Sequence, residues 1–128
     1  MLILKRFLPL MLCPFLLVGC ATSSITNLTP SRLPRKDNGQ YPFAVQWNSR
    51  QQSLIKDSIK AYVVVGLDQY SMQRTPLLTN RWETLVPVSA DKEVVNYRYK
   101  FDYEYRGFPN RQADSRLSRN YQLFILDK

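Results

Sequence analysis

Residues 96–108 read NYRYKFDYEYRGF. From Tyr97 to Tyr105 each odd position is aromatic (Tyr97, Tyr99, Phe101, Tyr103, Tyr105), and each even position between them is charged (Arg98, Lys100, Asp102, Glu104). Successive strand side chains point to opposite faces, so this period of two predicts a β-strand with one apolar and one wetted face. Counted from Val94, such a strand extends about 40 Å at roughly 3.3 Å per residue, about twice the usual length. A small domain needs large side chains to bury enough area, which places Val95 to Phe101 in the core. A buried tyrosine hydroxyl needs a hydrogen-bond partner. Tyr103 and Tyr105 are therefore expected to outrun the sandwich with their hydroxyls wet. On this reading the aromatic face is core at its start and contact surface at its end.

The remaining β signals surround this one. Phe43–Trp47 predicts a first strand, and Ala61–Leu67, β-branched and apolar on both faces, predicts a central buried one. Arg81–Val88 predicts a strand around Trp82 that stops or bends at Pro87, and Tyr121–Leu126 predicts the last. Trp47 and Trp82 both fall inside these segments and are expected in the core. Residues 49–60 allow two readings: a short helix capped by Ser53 that carries Leu54, Ile55 and Ile59, or two short strands around Lys56-Asp57-Ser58. With no alternation of strands and helices, the expected fold is an all-β antiparallel sandwich.

The first residues have a different character. Lys5 and Arg6 precede an apolar run, Phe7 to Val18, broken by Pro9 and Pro14. It falls short of the roughly 20 residues that span a bilayer and reads as a secretory signal peptide. Its end, Leu17-Val18-Gly19-Cys20, resembles the bacterial lipobox. That resemblance implies cleavage before Cys20, diacylglyceryl modification of its thiol, and attachment to a membrane by two or three acyl chains. Ala21 follows in place of the aspartate that typically signals inner-membrane retention, so the outer membrane of a bacterial envelope is the expected location.

The expected division is signal peptide 1–19, lipidated Cys20 and tether 20–39, and sandwich domain 40–128. Residues 21–39, ATSSITNLTPSRLPRKDNG, have a tether's composition and reach about 60 Å if extended at roughly 3.3 Å per residue. The alternative is an irregular lead-in strand anchored by Ile25, Leu28 and Leu33. Of the two cysteines, Cys13 leaves with the signal and Cys20 is acylated, so no thiol, disulfide or cysteine metal ligand is expected in the mature chain.

Lys plus Arg number 18 against 10 acids; without Lys5 and Arg6 the balance is 16 − 10 = +6. That favours anionic partners such as headgroups, lipopolysaccharide phosphates or an acidic protein. Export from the cytoplasm argues against nucleic acid. Between Arg106 and Asn120 four arginines (Arg106, Arg111, Arg116, Arg119) face only Asp114, a local balance of 4 − 1 = +3. A connection this long exceeds a usual hairpin loop. Together with Tyr103, Tyr105 and Phe108, these arginines form the candidate binding surface, since guanidinium groups fork onto carboxylates and phosphates.

The chain also resembles a group of small bacterial lipoproteins with an immunoglobulin-like domain. The likeness lies in Ile25-Thr26-Asn27-Leu28-Thr29-Pro30 with Leu33-Pro34, in the run from Ser58-Ile59 to Val63-Val64-Val65, in Tyr70-Ser71-Met72 and in the late aromatic strand. It implies an immunoglobulin-like sandwich in the envelope and supplies no catalytic residue, cofactor or metal. The chain has no histidine, and its four glycines form no phosphate loop, which removes Ser-His-Asp, Cys-His and His-zinc schemes. Glu83, Glu93, Asp102 and Glu104 are the carboxylates available to a glycosidase pair. Ion pairing across and along the strand accounts more simply for Asp102 and Glu104. The expectation is a non-catalytic module that docks on an envelope protein. The alternative is a glycan binder that stacks Tyr103, Tyr105 or Phe108 on sugar rings.

Overall fold

The computed structural model describes residues 23–127. The signal peptide and Cys20 lie outside the described residues. Ten strands form two sheets: β1 Ser23–Asn27, β2 Arg32–Pro34, β3 Gln40–Ser49, β4 Leu54–Val65, β5 Asp68–Ser71, β6 Gln73–Arg74, β7 Arg81–Pro87, β8 Val94–Tyr105, β9 Gln112–Leu117 and β10 Tyr121–Leu126. One sheet has the order β1-β3-β7-β6 and the other β2-β10-β8-β4-β5, with β9 also on β8. Lettered as in immunoglobulin domains, the sheets read A, B, E, D against A′, G, F, C, C′, an immunoglobulin-like sandwich with no C″ strand among the described residues. All pairings are antiparallel except β2 with β10.

The alternation of β8 is realised as expected, with Val95, Tyr97, Tyr99 and Phe101 buried. They pack on the opposite sheet edge-on or tilted: Phe43 meets Tyr97 with ring centres 4.8 Å apart, Trp47 meets Phe101 at 4.9 Å, and Trp82 meets Phe101 at 5.4 Å. β3 and β8 are the two strands that a disulfide joins in antibody domains. Both cysteines of this sequence precede Ser23, and aromatic contacts occupy that inter-sheet position instead.

Tyrosine in a core leaves a hydroxyl to satisfy, and β1 and the turn after it do so. The Tyr99 hydroxyl donates to Asn27 Oδ1 at 2.6 Å and lies 2.7 Å from Thr29 Oγ1; Asn27 Nδ2 donates to the Tyr97 hydroxyl at 2.8 Å. Burial raises the pKa of both phenols above the usual tyrosine value, against the lowering effect of hydrogen bonds from Asn27 and Thr29 at Tyr97 and from Thr29 at Tyr99. The tether reading of 20–39 is thereby corrected over most of its length. Ser23–Asn27 pairs with β3 through five residues, Ile25 and Leu33 pack on the core, and Leu28 stays at the surface.

Residues 49–60 contain no helix. β3 runs on to Ser49, and β4 begins at Leu54 as a single strand whose register slips between Ile55 and Lys60. Ser58 Oγ accepts from Glu104 N at 2.8 Å and bridges that slip. The central strand ends at Val65 rather than Leu67, because Gly66, at φ +62°, opens a two-residue turn into β5.

Candidate functional site

The long connection expected after Tyr105 is mostly strand. β9 pairs with β8 from Lys100↔Leu117 to Tyr105↔Gln112, leaving residues 106–111 as the turn. β9 and β10 are one long strand interrupted at residues 118–120, where the register on β8 shifts by one. Ser118 bridges the break: its N–H donates to Tyr99 O at 2.9 Å, and its Oγ accepts from Tyr99 N at 2.8 Å. Polar Gln112–Leu117 has little apolar alternation, so only the length of β8 hinted that an equally long partner was required.

The hairpin separates the seven candidate residues. Tyr103 is not a wet surface residue: it is 3 % exposed, packs on Trp47 at 5.2 Å between ring centres, and its hydroxyl donates to Asp114 Oδ2 at 3.3 Å. The sandwich continues further than the sequence suggests because Trp47 of β3 lies against this ring and β9 pairs beside it. Tyr105 is half-buried opposite Leu54 and packs against the core. Arg106, Phe108 and Arg111 sit together on the exposed turn, and Phe108 is 96 % exposed. The turn is tight, since a Cβ on Gly107 would lie 2.5 Å from Gln112 Cγ.

Arg116 and Arg119 lie further down the hairpin. Even-numbered β9 residues share a face with odd-numbered β8 residues, so Arg116 projects on the inner side, towards β1. There it borders a groove with Ser23, Ile25, Ser115 and Leu117. The groove continues along Thr26 and Asn27 to Arg119 and Tyr121, where the Arg119 guanidinium stacks 5.1 Å from the Tyr121 ring centre. Both walls are edge strands, since among the described residues β1 pairs only with β3 and β9 only with β8. Asp114, the one acid of the segment, is occupied by Tyr103 and by Ser115 N.

Of the carboxylates weighed for catalysis, Asp102 and Glu104 border one shallow depression on β8, and Glu83 and Glu93 lie elsewhere. Asp102 accepts from Ser115 Oγ at 2.6 Å and lies 3.6 Å from Lys100 Nζ. Glu83 belongs to the other sheet, and Glu93 follows β7 at the opposite end. Among the described residues no group of His, Cys, Asp and Glu is arranged to hold a metal ion, and no helix is long and apolar enough to cross a membrane.

No family model matches the chain. No curated protein matches it either. Among solved structures it is similar to that of murine CRIg, with a TM-score of 0.40 and 9 % identity over 82 % of this chain and 98 % of that one.

Proposed function

We propose that this protein is a lipid-anchored bacterial envelope protein, held through Cys20, whose immunoglobulin-like domain is a non-catalytic docking module. Its partner is an envelope protein that lays an extended acidic segment into the groove between β1 and β9. The observation behind this reading is that groove, flanked by two strand edges with free backbone groups and bordered by Arg116 and Arg119. A strand added to an open edge gains main-chain hydrogen bonds, and side chains along it set specificity. Arginines on the rim favour carboxylates and make the contact salt-sensitive. The glycan alternative draws less support, because Trp47, Trp82 and Tyr103 are core and, among the described residues, Phe108 alone is left as a fully exposed ring.

The test is to extract the acylated full-length protein from its own membranes in mild detergent and measure its size, with and without Arg116→Glu. A defined complex is expected for the parent, dispersed by the substitution and by salt while the fold is kept. A particle of one chain for the parent, or a complex indifferent to both, would remove the docking reading.

A further inference from the structure

One end of the sandwich is closed by residues 50–53, 75–80 and 106–111, and β1 starts at that same end. Ser23 pairs with Ser49, the last residue of β3. Arg106 N donates to Ser53 O at 2.8 Å, and Trp47 N donates to Asn80 O at 3.0 Å. These loops contain Arg50, Arg106 and Arg111 and no acid, whereas loops 35–39, 66–67 and 88–93 at the other end balance Arg35, Lys36 and Lys92 against Asp37, Asp91 and Glu93.

Two large apolar side chains stand free among the arginines. Phe108 is 96 % and Leu77 103 % exposed, so neither adds to the core. Leu77 also adopts φ +67°, a left-handed conformation that suits glycine far better than leucine. Backbone strain combined with full exposure makes this leucine a cost to the fold, and a contact outside the domain gives it a use.

We propose that this loop end rests on the bilayer surface, with Phe108 and Leu77 in the boundary between headgroups and acyl chains and with Arg50, Arg106 and Arg111 on lipid phosphates. The proposal rests on the anchoring reading of Cys20. Only Ala21 and Thr22 separate Cys20 from Ser23, a reach of at most about 11 Å, so an anchor there brings this end and no other to the membrane. Ring and aliphatic groups enter the interface while guanidinium groups fork onto phosphate oxygens, the pairing that interfacial membrane contacts use. The docking groove then starts beside the lipid at Ser23 and runs away from it along β1.

The experiment uses the full-length protein carrying a single introduced cysteine, labelled with an environment-sensitive fluorophore, in vesicles of phosphatidylcholine with phosphatidylglycerol. Labels at Phe108→Cys and Leu77→Cys are expected to shift to the blue and brighten about threefold or more, whereas a label at Leu67→Cys, on the opposite turn, stays as in water. Replacing Arg106 and Arg111 by serine is expected to weaken binding of the unacylated Cys20→Ser chain to these vesicles by roughly fivefold per arginine. The Leu77→Gly chain should unfold at the same or a higher temperature yet bind more weakly. Mass spectrometry of the amino-terminal peptide reads the acylation of Cys20 separately. If Cys20 carries no lipid, the same labels on a chain with Cys13→Ser and Cys20→Ser, mixed with the same vesicles, still report on this end. Equal, water-like emission at all three sites would overturn the contact. So would a change at position 108 seen only with native membrane proteins and not with pure lipid.

Discussion

At the scale of single residues, the tyrosine hydroxyls inside the sandwich decide how the core behaves. Tyr99 is held by Asn27, Thr29 and, at 3.0 Å, the carbonyl of Ala44. Tyr99→Phe should cost about 1–3 kcal/mol, because it leaves the partner groups unsatisfied in the core; urea unfolding at neutral pH measures this. The same phenol makes the fold sensitive to alkali. Its folded pKa lies above the unfolded value near 10, as does that of Tyr97, with desolvation the leading cause. The unfolded chain therefore releases these protons first. Stability is full below about pH 10 and falls above it, by up to about 1.4 kcal/mol per pH unit for each group. In Tyr99→Phe that alkaline decline should be shallower, which unfolding curves from pH 8 to 11 would show. Tyr103 gives the complementary lesson. Its alternation was plain in the sequence, but its burial depends on Trp47 of the other sheet and on β9 beside it, which no pattern within β8 records.

At the scale of elements, β8 is bonded to three strands, and two of its partners break register. Ser58 repairs the slip on the β4 side and Ser118 the one between β9 and β10, each by accepting a β8 N–H through its hydroxyl. Ser118→Ala should leave the Tyr99 N–H without its partner and cost about 1–3 kcal/mol, with faster hydrogen exchange at that amide. Unchanged stability and exchange would show that the break is held by something else. Strands with strong apolar periods (β8, β10, the middle of β3 and β4, and β7) were legible because burial on one or both faces writes them into the sequence. β5, β6 and β9 were not, and β1 and β2 only as an alternative lead-in strand, since short or edge strands take their form from a neighbour's backbone and need little apolar pattern of their own. The candidate surface was legible to the same extent. Its arginines and Phe108 could be picked out by charge and exposure, but the groove that β9 forms with β1 joins segments far apart in the chain.

At the scale of the whole molecule, the lead-in from Ser23 to Pro34 is part of the domain. It pairs with both sheets and supplies the partners of Tyr97 and Tyr99; beyond it, Arg35 bonds to Asp127 and to the carbonyls of Ala90 and Lys92. A chain begun after Pro34 should lose cooperative unfolding, whereas one begun at Ser23 should melt like the parent; calorimetry separates the two. A shortened chain that melts unchanged would restore the tether. The pairing of β1 also fixes how the domain meets mechanical load. A pull transmitted through the residues before Ser23 runs along β1, which lies antiparallel beside β3, so the bonds across its five paired residues resist sliding together rather than opening one after another. Tension on this protein is thus borne in shear, the direction in which a pair of strands is hardest to part.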